Sequence, residues 1–239
     1  MTYEPNNIYC VDCYEAIKQL PDKSVDLIVT DPPYDISVNH GAGAFGVKKK
    51  LHYEQFVEIS DGFNPEILDE FVRVLKRINL YIWCSKNQIP MLLQYFVTER
   101  GCYWNLITWH KTNVCPTCNN KYMNDTEYCL FFREKGVQLY GNYESKKTFY
   151  VSAMNTSDKA KFEHSTIKPV SIIENLVENS SQPKDIVLDC FICSGTTAVA
   201  CKNLGRKYIG FEINPKWHKI AVDRLNNIQA NGQISLFTE

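Results

Sequence analysis

The residues Asp31-Pro32-Pro33-Tyr34 bring together groups that could bind and activate an amino group. Asp31 supplies a charged acceptor for an N–H group, and the rigidly held carbonyl of Pro32 supplies a second acceptor. Tyr34 offers a flat face against which a planar ring can stack. Two acceptors on one amino group localise its lone pair, which can then attack a methyl carbon in line. Positioning and electrostatics would drive such a reaction, without a covalent protein nucleophile.

A second set of residues has the spacing of a nucleotide-binding loop. A short apolar strand ends at Asp189, and Ser194-Gly195-Thr196-Thr197 then lead into a helix. In open α/β sheets, ligands bind beyond the carboxyl ends of strands, where a helix N-terminus faces them. Gly210-Phe211-Glu212 end the next strand, and an acid at that place commonly binds ribose hydroxyls. This half of the sequence predicts a cofactor that contains adenosine, and the lack of a GxGxxG sequence in the loop after Asp189 disfavours a nicotinamide dehydrogenase.

Apolar periodicity predicts the elements that hold these two sets of residues. Residues 25–30 are almost entirely apolar, as expected of a central parallel strand, and the prolines that follow end it. Further strands are predicted at 78–84, 102–109, 127–133, 186–189 and 208–211, and helices from Asn64 onward and at 88–100, 169–180, 194–204 and 215–228. This alternation predicts an α/β fold with a doubly wound, mostly parallel sheet.

The order of these blocks resembles that of the amino-group DNA methyltransferases, in the permuted arrangement called the β class. In that arrangement the catalytic motif comes first and the cofactor loop last. The matching blocks are, in chain order, Asp12-Cys13, Asp31 to Tyr34, His164 to Pro169, Asp189 to Thr196 and Gly210 to Pro215. The resemblance covers about the whole chain. It implies the Rossmann-like fold of S-adenosylmethionine-dependent methyltransferases, with a circularly permuted motif order.

The resemblance also implies a role for each block. Asp31, Pro32, Pro33 and Tyr34 would be the catalytic residues, acting on the exocyclic amine of a DNA base flipped out of the duplex. For the cofactor S-adenosylmethionine, Asp12 and Cys13 would meet the adenine ring, while Thr166 and Lys168 would hold the methionine carboxylate. The other cofactor-binding residues that the resemblance implies are Asp189, Phe191, Ser194, Gly195, Thr196, Glu212 and Ile213.

Three residues depart from the family pattern. Ser165 and Cys190 stand where the family has proline, and Cys193 stands where it has the first glycine of the cofactor loop. Glycine is used where the backbone must approach a ligand or adopt a positive φ. Cys193 therefore bears on the geometry of the loop and on its affinity for the cofactor.

The predicted activity is methyl transfer to N6 of adenine in double-stranded DNA. N4 of cytosine is the alternative acceptor because it offers the same amino chemistry, although in the family an initial Asp goes mostly with adenine and Ser with cytosine. Further alternatives are a DNA-binding protein that keeps the fold without turnover, and an enzyme acting on amide-like groups of RNA or protein. C5-cytosine chemistry requires a cysteine after proline, and this sequence contains no Pro-Cys dipeptide.

Length and composition favour a single globular domain. The 239 residues, 44% hydrophobic and 13% aromatic, suffice for one sizeable core. No stretch is apolar enough to span a membrane and the start does not resemble a signal peptide, so a cytoplasmic, bacterial or phage-encoded protein is expected. The net charge of −1 excludes a broadly basic surface, so DNA contact must rely on local lysines at 48–50, 146–147 and 159–161.

The ten cysteines include three pairs with CxxC spacing. Several cysteines lie in apolar stretches, where a free thiol behaves as a small hydrophobe. A tetrahedral thiolate site at the pairs 10/13 or 190/193 would block the predicted cofactor pocket. We therefore expect no bound metal, and the pair Cys115/Cys118, in a polar stretch, is the alternative zinc site.

Two stretches with little periodicity, 35–60 and 134–163, are predicted to contact DNA and to recognise the target sequence. The tail, 231–239, is predicted to begin where Asn231-Gly232 breaks the helical pattern. Its residues Gln233 to Phe237 resemble the short peptides by which bacterial replication proteins dock on the sliding clamp. Alternatively, they fold back on the protein itself or on a partner, which hides apolar surface. A homodimer is a further expectation.

Overall fold

The computed structural model describes residues 3–35, 62–114, 120, 122–154 and 167–234. Within these residues the strands are β1 (Asn7–Cys10), β2 (Leu27–Thr30), β3 (Asn79–Cys84), β4 (Tyr103–Lys111), β5 (Thr126–Arg133), β6 (Phe149–Ser152), β7 (Ile186–Asp189) and β8 (Lys207–Glu212). The helices are α1 (Cys13–Ala16), α2 (Ile67–Val74), α3 (Ile89–Leu93), α4 (Val170–Ser180), α5 (Thr196–Asn203) and α6 (Pro215–Ile234).

All of these strands form one sheet, in the spatial order β1-β8-β7-β2-β3-β5-β4-β6. β5 is antiparallel to both of its neighbours, and the other pairs of adjacent strands are parallel. Every residue of β2 and β3 is buried, as expected of strands covered on both faces. The predicted mostly parallel sheet is therefore confirmed.

Helices cover both faces of the sheet. On one face, Phe71 of α2 joins Phe96 and the β5 residue Phe132 in a single apolar cluster. On the other face, α4, α5 and α6 pack their apolar residues against Trp83 and Val29. This arrangement is the doubly wound α/β architecture predicted from the alternation of elements.

Two strands were not predicted. β1 is short and pairs with β8 at one side of the sheet. β6 forms the opposite edge, and its residues alternate between exposed and half-buried, so it has no buried apolar face that a periodicity could reveal. In neighbouring β4, Trp104 is 42% exposed, whereas Trp109 is buried.

The predicted helices from Asn64 and at 88–100 differ from those of the structure in their start or in their type. α2 begins at Ile67 rather than at Asn64, because the Asn64 side chain accepts the N–H of Glu66 and closes a turn before the helix. The predicted helix at 88–100 consists of α3 followed by one π-helical turn at Gln94–Thr98.

The last helix, α6, continues to Ile234, so the predicted break at Asn231-Gly232 is wrong. A glycine inside a helix costs only about 1 kcal/mol, which the remaining hydrogen bonds of a long helix can offset. Gln233 and Ile234, the start of the clamp-like sequence, are helical rather than extended. Residues 235–239 lie outside the described residues.

Different structures lie at the carboxyl ends and at the amino ends of the parallel strands, which we call the carboxyl edge and the amino edge. At the carboxyl edge of the parallel strands, Gly62 and Ile167 line a cavity. The stretch 134–147 leaves from the amino edge, where Glu134 N donates to Ile78 O and Tyr140 N to Asn179 O, both at 2.8 Å. No helix in the described part of the chain is long and apolar enough to cross a membrane.

A turn at the amino edge is fixed to α4 by side-chain hydrogen bonds. Ser145 Oγ donates to Asn179 Oδ1 at 2.8 Å, and Asn175 Nδ2 donates to the Ser145 carbonyl at 2.8 Å. Tyr143, in this turn, is 82% exposed. The described part of the predicted recognition stretch 134–163 is therefore mostly remote from the cavity.

Candidate active site

A cavity of about 440 Å³ opens beyond the carboxyl ends of β2, β7 and β8, a volume within the roughly 300–1,000 Å³ of ligand pockets. The predicted site residues that line it are Asp12, Cys13, Asp31, Pro32, Pro33, Tyr34, Lys168, Asp189, Phe191, Ser194, Thr196, Glu212 and Ile213. Thr166 lies outside the described residues. The structure thus brings the two halves of the predicted site together around one space.

The turn Asp31 to Tyr34 follows β2 directly and is held by the loop after β3. Gln88 Nε2 donates to the Pro33 carbonyl at 3.0 Å, and Gly62 N donates to the Tyr34 carbonyl at 3.3 Å. Ser85 Oγ donates to the carbonyl of Asp35 at 3.0 Å. These contacts fix the turn at both ends, so Asp31 enters the cavity from a rigid support.

Lys168 connects Asp31 to a second acid that the sequence did not single out. Lys168 Nζ lies 2.5 Å from Asp31 Oδ2 and 2.9 Å from Glu127 Oε2, and it donates to the Tyr34 hydroxyl at 3.2 Å. Glu127 is also ion-paired with Lys111. The Lys168 ammonium thus donates hydrogen bonds to Asp31 and Tyr34 and is ion-paired with Glu127, whereas the resemblance assigned Lys168 to the methionine carboxylate of the cofactor.

The pKa values of these groups follow from burial and from their neighbours. Burial raises the pKa of Asp31 above its ordinary value, although Lys168 opposes the shift. Burial acts on Glu127 in the same direction, but Lys168 and Lys111 outweigh it and lower the pKa of Glu127 to about 2. Burial favours the neutral form of Lys168, but Asp31 and Glu127 outweigh it and raise its pKa. Glu127 is therefore ionised and Lys168 protonated at neutral pH.

Asp189 organises the loop after β7 from beneath. Its Oδ1 accepts Thr30 Oγ1 at 2.9 Å and Phe191 N at 3.1 Å, and its Oδ2 accepts Thr197 Oγ1 at 2.7 Å. The carboxyl is 4% exposed, and burial raises its pKa to about 7. Because Thr30 immediately precedes Asp31, this carboxyl connects the loop after β7 to the turn Asp31 to Tyr34.

The backbone of the same loop adopts left-handed conformations at Cys193, with φ of +48°, and at Gly195, with φ of +82°. The family glycine that Cys193 replaces would adopt this conformation without strain, whereas a side chain there costs about 1–2 kcal/mol. A Cβ at Gly195 would lie 3.0 Å from the Cβ of Ala221. Gly195 is therefore needed for close packing on α6, and it does not itself line the cavity.

Glu212 closes the loop from the end of β8. Cys193 N donates to Glu212 Oε2 at 2.9 Å, and Asn214 N donates to Oε1 at 2.8 Å. Burial raises the pKa of Glu212, and the two N–H groups oppose that shift. Gly210, in the same strand, has no room for a side chain, because a Cβ there would collide with Ile192.

Beyond β1, Asp12 caps helix α1 and helps to form another wall of the cavity. Its Oδ1 accepts Tyr14 N at 2.9 Å. The Tyr14 ring packs edge-on against Phe191, with 6.2 Å between the ring centroids. Trp217 lines the cavity as well. These rings give this end of the cavity an aromatic surface.

Glu127 and Lys111 are the functional residues that sequence reasoning missed. Glu127 is a carboxylate just before the buried apolar residues 129–132 of β5, and that signal could have drawn attention to it. The alternative zinc site, Cys115/Cys118, lies outside the described residues. Among the residues that the structure does describe, no cluster of three or more His, Cys, Asp or Glu side chains could hold a metal.

Comparisons with known proteins agree with this geometry. The model of a family described as DNA methylase, N6_N4_Mtase, matches residues 25–223. The chain is 30% identical over 252 residues to the Type II methyltransferase M.HinfI of Haemophilus influenzae, covering 95% of this chain and 70% of that protein. It is 27% identical over 272 residues to the Type II methyltransferase M1.MboII of Moraxella bovis, covering 95% and 99%. The crystal structure of the M1.HpyAVI–SAM complex shares the fold with a TM-score of 0.66 and 27% identity, over 91% of this chain and 98% of that chain. The chain belongs to the N6/N4 DNA methylase family.

Proposed function

We propose that the protein transfers a methyl group from S-adenosylmethionine to N6 of adenine in double-stranded DNA, with the target base flipped out of the duplex. The observation that carries this proposal is the position of Asp31 beside the β7 and β8 loops, in one cavity. An amine acceptor and a nucleotide-binding loop face the same space, as direct transfer between two bound molecules requires.

The β7 and β8 loops fit S-adenosylmethionine. Each oxygen of Glu212 accepts one backbone N–H and keeps a second acceptor direction for a ribose hydroxyl. Tyr14 and Phe191 offer aromatic surface to the adenine ring. When bound, S-adenosylmethionine supplies a methyl group on a positively charged sulfur.

Asp31 performs the acceptor role on the target base. Its carboxylate accepts an N–H of the exocyclic amine and stabilises the positive charge that develops on the amine nitrogen during attack. The Pro32 carbonyl provides the second acceptor, and the ring of Tyr34 stacks on the flipped base. The fixed turn holds these groups in place before the base arrives, so little reorganisation is needed at the moment of reaction.

Adenine is proposed over cytosine because the motif begins with Asp31. In the resemblance, an initial Asp goes mostly with adenine and an initial Ser with cytosine. N4 of cytosine remains the second candidate, since a carboxylate acceptor is equally suited to either exocyclic amine. Target recognition, predicted for 35–60 and 134–163, stays a proposal, and residues 36–60 and 155–163 of these stretches lie outside the described residues. The flanking residues Asp35, Gly62 and Ile167 belong to the catalytic turn or line the cavity.

The experiment that tests this function uses purified protein, radiolabelled S-adenosylmethionine and genomic DNA from a bacterial strain without DNA methylation. After transfer, the DNA is digested to nucleosides and the label is identified by mass spectrometry. Label in N6-methyladenine is expected. Label in N4-methylcytosine would reassign the acceptor base, and binding of the cofactor without any label would favour a binding protein that lacks turnover.

A further inference from the structure

Glu127 lies outside all of the blocks that resemble family motifs, yet its carboxylate belongs to the same buried network as Asp31. We propose that Glu127 is a positioning residue, which holds Lys168 so that its ammonium binds one oxygen of Asp31 and leaves the other oxygen for the target amine. This inference rests on the proposed amine chemistry, but not on the choice between adenine and cytosine.

The sheet makes Glu127 a rigid anchor for a flexible side chain. Glu127 pairs with Trp109 in the β4–β5 ladder, and its side chain is 13% exposed. Lys168 has a long side chain with several rotatable bonds. The carboxylates of Glu127, on β5, and Asp31, after β2, define the position of the Lys168 ammonium. The ammonium lies 4.9 Å from the ring centroid of Trp83. Without Glu127, the ammonium keeps only its contacts with Asp31 and the neighbouring Tyr34 hydroxyl.

The charges of the network alternate from Lys111 to Glu127 to Lys168 to Asp31. Two cations and two anions leave the group neutral overall. If Glu127 loses its charge, Lys168 has Asp31 as its one remaining charged partner and neutralises the acceptor more completely. The amine nitrogen, which becomes positive as it attacks, then meets an excess of positive charge. Lys168 and Asp31 separate Glu127 from the amine, and one unit charge at about 8 Å, at an effective dielectric constant of about 20, changes a rate by about 30-fold, in the range of 10- to 100-fold.

The same charge change has a signature in pH. Glu127 repels the anionic form of Asp31, so its removal, together with tighter pairing to Lys168, should make Asp31 easier to ionise. The other titratable groups whose charge acts on Asp31, or on which Asp31 acts, are Tyr34, Cys84, Cys129, Asp189 and Cys193. None of these residues is replaced in E127Q, although Glu127 contributes to raising the pKa of Tyr34.

The test compares single-turnover methylation rates of the wild type and of E127Q across a pH series. E127Q is expected to lower the maximal rate by about 10- to 100-fold and to shift the acidic limb of the rate to lower pH. Its affinity for S-adenosylmethionine should not change. E127D, which keeps the charge, should recover part of the rate. The matched control is E134Q, the same substitution just beyond the other end of β5, where Glu134 pairs with Arg77 at the amino edge; its rate should equal that of the wild type.

A wild-type rate and acidic limb in E127Q would overturn the inference. The inference would also be overturned if E127Q and E127D both lost rate while the acidic limb stayed at the wild-type pH, because that pattern indicates structural damage alone. If E127Q does not fold, K111Q replaces it. Without Lys111, Glu127 pairs with Lys168 alone, so Lys168 binds Asp31 less strongly. The acidic limb of the rate should then move to higher pH. An unmoved limb in K111Q would also refute the role.

A carbon-13 NMR titration of the Asp31 carboxyl, assigned with D31N, makes the same comparison without turnover. This measurement separates the two ideas. A wild type that transfers no methyl group contradicts the proposed function, whereas a carboxyl pKa of Asp31 that E127Q leaves unmoved contradicts the positioning role.

Discussion

Substitution D31N removes one negative charge from the cavity and nearly preserves the shape of the side chain. In the wild type, the Asp31 carboxylate is bound by Lys168, while Glu127 binds both Lys168 and Lys111. These four groups are neutral together in the wild type, so the substitution leaves them with one excess positive charge. The acceptor for the target amine becomes a neutral amide oxygen, which is a weaker hydrogen-bond acceptor than a carboxylate.

The magnitude follows from what the carboxylate does in the transition state. Loss of one preorganised electrostatic contact to a developing charge costs about 2–4 kcal/mol, or roughly 30- to 1,000-fold in rate. Stability should change less. Breaking a buried ion pair outright costs about 3–5 kcal/mol, but Lys168 keeps Glu127 as a partner. The Asp31 side chain is also 29% exposed. We therefore expect a folded variant with a slow chemical step.

The assay is a single-turnover methylation rate, accompanied by calorimetric titration with S-adenosylmethionine. D31N should bind the cofactor as the wild type does, because Asp31 is assigned to the amine rather than to the cofactor. Wild-type turnover by D31N would refute the assignment of Asp31 as the acceptor. A large loss of cofactor affinity with an unchanged rate at saturation would place Asp31 in the cofactor site instead.

Three further predictions concern the cofactor loop. E212Q should weaken S-adenosylmethionine binding in calorimetry, since an amide accepts ribose hydroxyls less strongly than a carboxylate; equal affinity would place the ribose elsewhere. C193G should bind the cofactor equally or more tightly and gain up to about 1 kcal/mol of stability, because glycine adopts the left-handed backbone without strain; weaker binding would give the thiol a role of its own. The pKa of Asp189 is raised to about 7, whereas an aspartate in the unfolded chain has a pKa of about 4. Between these two pH values the folded state holds an extra proton, so the free energy of unfolding falls as pH rises, by up to about 4 kcal/mol. D189N should flatten that dependence in thermal unfolding, and an unchanged slope would assign it to another group.

The local part of the site could be predicted from the sequence because its signals are contiguous. Asp31 to Tyr34 follow an apolar strand, and that strand is β2. Asp189 and Glu212 end two further strands, and parallel strands bring their carboxyl ends to one edge of a sheet. The positive φ at Cys193 was implied by the family glycine that it replaces. In each case the motif and its supporting element lie within a few residues of each other.

Contacts between distant parts of the chain could not be predicted in this way. Lys168 meets Asp31 and Glu127 because β2 and β5 both neighbour β3 and their pocket-side ends face one cavity. No spacing along the chain encodes that meeting. The four residues of β6 show no buried face, so tertiary pairing with β4 alone makes them a strand. At Asn231-Gly232, local propensity predicted a stop, and the helix continues through it.

The turn around Tyr143 offers a practical attachment point on the molecule. Its side chain is 82% exposed, and the hydrogen bonds between Ser145 and α4 hold the surrounding backbone still. The turn lies at the amino ends of the parallel strands, opposite the end at which the cavity opens. A fluorophore or a surface tether at position 143 should therefore leave DNA access free, while reporting the rotation of the whole molecule rather than the local motion of a loose loop.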